Sequence, residues 1–264
     1  MTSSKVDEAE RGRKPRAFPA ALAHGELSEV FPGVFFVTGT AGMPGALPIR
    51  FSRNMVVVRE GERLVLINSV RLSEPGLAAL QALGSITDVI RIAGFHGADD
   101  AFYKQRYGAR IWAIQGQRYT AGFSLDGPAY FEADTEIGAS TTLPIRDASL
   151  YSFATKPPEA LLVLARNGGV AIAGDCLQHW ADTDAYFNWL GAFMMRRLGF
   201  IRAHNVGPAW LKQAKPSASE LRGVLDLDFE HVLPAHGAPV IGGAKAAYRP
   251  ALERAAARRA AETG

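Results

Sequence analysis

The sequence predicts a layered α/β protein built on mixed β-sheets. Three observations carry that prediction: two hairpins of β-branched residues, helical segments set between strand-like runs, and polar residues at the ends of those runs. One hairpin pairs Met55-Val56-Val57-Val58-Arg59 with Arg63-Leu64-Val65-Leu66-Ile67, turning at Gly61. The other pairs Leu161-Leu162-Val163-Leu164-Ala165 with Val170-Ala171-Ile172-Ala173 across Arg166-Asn167-Gly168-Gly169.

Taken in order, residues 1–16 are charged, contain proline and lack apolar period, which predicts a disordered tail before a single domain over 17–264. Val34-Phe35-Phe36-Val37 reads as the first strand, and the Gly- and Pro-bearing stretch from Gly39 to Ser52 as a long loop. Ser73 opens a helix as its N-cap, Leu77, Leu80 and Leu83 keep helical spacing, and Gly84 ends it. A strand, Asp88 to Ile92, then feeds Gly94-Phe95-His96. A helix over Asp100 to Tyr107 stops at Gly108, and Arg110 to Ile114 is again strand-like. Residues 115–143 carry many Gly, Thr and Ser and little period. Tyr186 to Phe200 is aromatic- and Met-rich and predicts a helix apolar on most sides. Ser217-Ala218-Ser219-Glu220 is a capping box. His231-Val232-Leu233-Pro234 is a short strand leading to His236, and the Ala/Arg-rich end forms a last helix.

Composition narrows the function classes. The net charge of +3 is small and its basic excess sits largely at the two ends, so a nucleic-acid-binding face is not expected. Cys176 is the single cysteine, which excludes an intramolecular disulfide and a Cys-rich zinc module and suits a reducing cytoplasm. No run approaches the roughly 20 apolar residues that span a bilayer. A cytoplasmic protein without membrane or nucleic-acid partners is the expectation, acting on a small molecule that the sequence does not name.

Polar residues cluster at three strand ends: His96 and Asp100, then Asp175, then His236. Two imidazoles and two carboxylates form a ligand set suited to one zinc, iron or manganese ion. Here the sequence resembles the metallo-β-lactamase superfamily, from Val34 to about Tyr248. The resemblance rests on the first hairpin, the His96-to-Asp100 turn, Gly174-Asp175, and Val232-Leu233-Pro234-Ala235-His236-Gly237. It implies a four-layer αββα sandwich of two mixed sheets, with a metal site at one sheet edge and, in most members, metal-dependent hydrolysis.

The family motif His-x-His-x-Asp-His, laid on this chain, begins at His96 and has its Asp at Asp100, but its second and last His fall on Ala98 and Ala101. No His lies in residues 144–160, where a further ligand normally stands. The resemblance therefore implies a reduced, at most mononuclear, site at Asp100, Asp175 and His236 with His96 adjacent. His96 and Asp100 are then the candidate catalytic groups. His179, four residues beyond Asp175, is a candidate substitute ligand, and Glu159 a weaker one.

Each residue also has a plainer role. Asp100 fits the first turn of a helix, His96 and His236 fit backbone-bonded strand ends, and Trp180 beside His179 fits a packing corner. Cys176 reads as a small buried residue. Two functions follow: a hydrolase of an ester, lactone, thioester or phosphoester, or an inactive, metal-free member serving as a binding or assembly protein. The Trp189, Phe193 and Met194 segment offers either a lid or a homodimer contact.

Overall fold

The computed structural model describes residues 18–43, 45–120 and 127–263. The predicted tail over 1–16 lies outside them. The first half contains β1 (Ser28–Phe31), β2 (Val34–Gly42), β3 (Arg50–Glu60), β4 (Arg63–Ile67), α1 (Glu74–Leu83), β5 (Ser85–Arg91), α2 (Asp100–Tyr107), β6 (Arg110–Ile114), β7 (Tyr119–Thr120), β8 (Ala129–Phe131) and β9 (Thr135–Ile137). The second contains β10 (Ala148–Phe153), β11 (Glu159–Leu164), β12 (Val170–Ala173), β13 (Leu177–Trp180), α3 (Trp189–Arg197), β14 (Arg202–Val206), α4 (Pro208–Ala214), α5 (Ala218–Gly223), β15 (His231–Pro234) and α6 (Ala244–Thr263).

A seven-stranded sheet runs β1-β2-β3-β4-β5-β6-β9, antiparallel through β4 and parallel beyond it. A four-stranded sheet runs β10-β11-β12-β15, with only the β12–β15 pair parallel. Strand alternation divides the apolar residues of these sheets between three cores. Val56, Val58, Val65 and Ile67 meet Leu162, Leu164, Ile172 and Leu233 between the sheets. Met55, Val57, Leu64 and Leu66 pack outward against Leu77 and Leu80 of α1 and Phe102 and Tyr103 of α2. Leu161, Val163, Ala171 and Val232 pack outward against Trp210 of α4, Leu221 of α5 and Tyr248 and Leu252 of α6. The order is helix, sheet, sheet, helix, as expected.

Several local expectations needed correction. The long loop expected from Gly39 to Ser52 is half strand: residues 39–42 end β2 and residues 50–52 begin β3, and the two strands stay in register from Val34↔Val58 to Gly42↔Arg50, so pairing shortens the loop despite the Gly-rich composition. The helix expected from Tyr186 to Phe200 is confined to Trp189–Arg197, because the Asn188 side chain accepts from Gly191 N and fixes the start. Ser73 does occupy the N-cap position of α1, but its hydroxyl bonds His24 Nε2 at 2.8 Å instead of capping the helix. The Ser217–Glu220 capping box is formed.

The strands that bear the site end together. In register, Ala173 of β12 faces Pro234 of β15, and Ala235 N extends the ladder to Ala173 O at 2.9 Å. Asp175 and His236 therefore leave neighbouring strands side by side. Beyond β5, Ile92 O accepts from Ala160 N of β11 at 2.9 Å, which ties the edge of one sheet to the other and brings the His96 loop across.

Candidate metal centre

Among the described residues, His96, Asp175 and His236 form the group whose donor atoms converge. His96 Nε2 lies 3.5 Å from Asp175 Oδ2, His236 Nε2 lies 3.2 Å from Asp175 Oδ1, and the two Nε2 atoms are 3.3 Å apart. Each of the three side chains comes from a different strand end, so rigid pairing sets the triangle.

The protonation pattern suits ligands. His236 Nδ1 sits 3.1 Å from the carbonyl of Ser52, a contact that fixes the ring orientation and turns Nε2 towards Asp175. Burial pushes the His96 imidazole down to about 3, and Asp175 only partly offsets this, so the ring is neutral. Burial also works to raise Asp175, but His96 and the hydrogen bond from His236 outweigh it and hold the carboxylate below its usual range. Asp175 Oδ2 is buried and has no hydrogen-bond partner among the described residues. In four-coordinate zinc, bonds of about 2.0–2.1 Å place ligand atoms about 3.3–3.4 Å apart. The two Nε2 atoms have that spacing, Asp175 turns a different oxygen to each imidazole, and one donor atom from each residue lies within 4.8 Å of the others, so this donor set suits a divalent ion.

A glycine follows each site histidine. Gly97 has φ +96° and packs against Arg91 and Tyr119, while Gly237 has φ +91° and lies on the backbone of His179. Both need the left-handed region that side chains disfavour, and both turn the chain sharply away after the imidazole.

The structure separates Asp100 from the group with which the sequence placed it. Its fully buried carboxylate accepts from Ser69 Oγ at 2.6 Å through Oδ1 and from Tyr119 OH at 2.6 Å through Oδ2. Burial raises its pKa, opposed by those two hydroxyls and by Arg91. Arg91 is itself buried; its guanidinium lies 4.5 Å over the Tyr119 ring and donates to the carbonyls of Ala93, Arg118 and Gly94. Asp100 thus anchors the start of α2 and, through Tyr119 and Arg91, the loop that carries His96.

His179 is also outside the group. It is on the face of β13 opposite Trp180, with Nδ1 accepting from His204 N at 3.1 Å and its ring 4.4 Å from that of His204. Glu159 is outside the group too: its Oε1 accepts from Cys176 N at 2.5 Å, and burial and then Asp175 push its pKa well up. Cys176 is buried, as expected.

Two further side chains flank the group. Trp180, which the sequence offered as a packing corner, sets its ring 4.7 Å from that of His236 at a tilt of 43° and donates to Ser52 Oγ at 2.8 Å. Arg53, paired with Asp99, stands beside His96. The triangle lies in the wall of a cleft of about 1490 Å³, whose lining includes Phe51, Phe95, Trp180 and Phe200.

No family model matches the sequence, and no curated protein matches it. Solved structures do match the fold. A metallo-β-lactamase from Erythrobacter litoralis superposes with a TM-score of 0.53 at 17% identity, covering 96% of this chain and 99% of that one. The metallo-β-lactamase FIM-1 from Pseudomonas aeruginosa, in its mono-zinc form, gives 0.54 at 14%, covering 90% and 98%. A metallo-β-lactamase from Hirschia baltica gives 0.53 at 15%, covering 88% and 96%. The chain has the metallo-β-lactamase fold.

Proposed function

We propose that this protein is a metal-dependent hydrolase with a single divalent ion held by His96, Asp175 and His236. The observation that carries the reading is the convergence of the three side chains: the two imidazole Nε2 atoms are 3.3 Å apart, and Asp175 sets one oxygen 3.2 Å from His236 and the other 3.5 Å from His96. The mono-zinc state of a structure with the same fold is consistent with it. A bound ion would supply Lewis acidity, both polarising a carbonyl or phosphoryl oxygen and making water nucleophilic near neutral pH.

The chain's own residues supply the rest. Ser52 O and the Trp180 ring hold the His236 imidazole in one orientation, and Arg91 and Tyr119 hold the His96 loop. Phe51, Phe95 and Trp180 form an apolar wall beside the triangle. Arg118, Lys156 and Lys212 line the cleft and are exposed, which favours a substrate with an anionic group. The substrate class is an ester, lactone, thioester or phosphoester.

Ala98 and Ala101, standing where the family motif carries imidazoles, favour a second reading, an inactive binding protein that holds no ion. Hydrolysis of nitrophenyl acetate, a thioester and a nitrophenyl phosphate before and after chelation separates the two. The hydrolase reading expects activity on at least one that is lost on chelation and restored by zinc, manganese or iron. Activity on none, with no metal bound, establishes the second.

A further inference from the structure

The distribution of exposed apolar side chains points to a surface that the hydrolase reading does not use. Seven large apolar residues are exposed among the described residues: Leu22, Leu47, Tyr130, Trp189, Phe193, Leu198 and Ile241. Leu22, Tyr130 and Leu198 also line the cleft, so they stand at its rim. Trp189, 79% exposed, and Phe193, 59% exposed, share one face of α3, the helix that runs to that rim through Met195 and Leu198. Leu47 is next to them, because Asn188, the N-cap of α3, bonds Pro48 O and Arg50 N. Three of the seven line the cleft, and Trp189, Phe193 and Leu47 form an exposed apolar group at α3, the helix whose Met195 and following Leu198 reach the cleft.

Cations predominate on this side. Arg118, Lys156 and Lys212 are exposed in the cleft lining, Arg197 is on α3 beside Phe193, and Arg50 adjoins its start. The carboxylates nearby are engaged: Asp99 with Arg53, Asp182 with Arg196, and Asp184 with the backbone N–H of Tyr186. An exposed Trp and Phe on a short helix, flanked by arginines, is the composition that settles into the headgroup region of an anionic bilayer. A second copy of the chain would bring arginine against arginine across a two-fold axis. An anionic lipid surface complements both the charge and the apolar ring.

We propose that this face docks on an anionic lipid surface, with Trp189, Phe193 and Leu47 entering the interface. This departs from the sequence expectation of no membrane partner, which concerned spanning segments; no helix among the described residues is long and apolar enough to cross a membrane.

Trp189 is the reporter, because Trp112, Trp180 and Trp210 are all buried. Vesicles of phosphatidylcholine mixed with phosphatidylglycerol should shift the tryptophan emission to the blue and carry the full chain down on sedimentation, and added salt should weaken both. The double variant Trp189→Ser, Phe193→Ser should partition at least about tenfold more weakly. Ile241→Ser, remote from this face near His231, should partition as the parent does. No sedimentation with anionic vesicles overturns the proposal, as does equal binding to pure phosphatidylcholine or an equal loss in Ile241→Ser. A parent that is dimeric by light scattering and becomes monomeric in the double variant assigns the face to a second copy and also overturns it.

Discussion

Replacing Asp100 separates a ligand from a structural carboxylate. Its two oxygens take hydroxyl hydrogen bonds of 2.6 Å from Ser69 and Tyr119, and the side chain is fully buried. A hydrogen bond to a charged group contributes about 1.5–3 kcal/mol. Asp100→Ala removes both, strands two buried hydroxyls and leaves the neighbouring Arg91 cation without its facing charge, for a total of about 3–5 kcal/mol. That is a large share of a native stability of about 5–15 kcal/mol. For a chain of this length each kcal/mol moves the melting temperature by about 2–4 °C, so Tm should fall by about 6–20 °C. Tyr119→Phe and Ser69→Ala should each cost about 1.5–3 kcal/mol, and much less once Asp100 is gone, since the three form one network. Urea denaturation measures the costs, and zinc stoichiometry is measured on the folded protein. Asp100→Asn should keep its zinc. A variant that keeps its stability and loses its zinc would refute the structural role and restore Asp100 as a ligand.

The His96 imidazole, held down to about 3 by burial, sets a pH dependence. Between that value and the usual 6.5 the unfolded chain takes up a proton that the fold excludes, so stability is complete above 6.5 and falls as pH drops towards 3, by up to about 1.4 kcal/mol per pH unit. Urea midpoints measured from about pH 7.5 to about pH 5 should fall less steeply in His96→Gln; identical slopes would contradict this. The two glycines differ in what opposes a side chain. An added Cβ at Gly237 would lie 2.1 Å from His179 backbone atoms, whereas at Gly97 it meets the Arg91 side chain at 2.7 Å and the Tyr119 ring at 2.8 Å. Gly237→Ala should cost more than about 3 kcal/mol and Gly97→Ala less, because backbone cannot step aside. Equal costs in urea denaturation would show that the His96 loop is as rigid as the strand edge.

The parts of the fold legible in the sequence were those whose residues carry their own signal. Val56 to Ile67 and Leu161 to Ala173 announce hairpins by β-branching, and Asp175 and His236 stand out as polar residues closing apolar strands. Elements defined by a distant partner were not legible. The stretch from Gly39 to Ser52 looks like a loop until β3 pairs with it, and β10 alternates serines with half-buried residues that gain meaning only beside β11. The same limit governs the site. His96, Asp175 and His236 were among the candidates, but sequence spacing could not tell that Tyr119 and Ser69 occupy both oxygens of Asp100, or that β13 turns His179 away towards His204. Trp180 gave an aromatic signal, yet its contact with His236 joins strands more than fifty residues apart.

Metal content is the most direct test of the proposed centre. Elemental analysis of the chain purified without chelator, then incubated with zinc, iron or manganese and desalted, should find about one equivalent of one of them. Asp175→Asn and His236→Ala, shown to be folded by circular dichroism, should hold less than about a tenth of an equivalent, because an open zinc site needs three protein ligands. Less than about a tenth of an equivalent in the parent, under every one of these metals, would contradict the account.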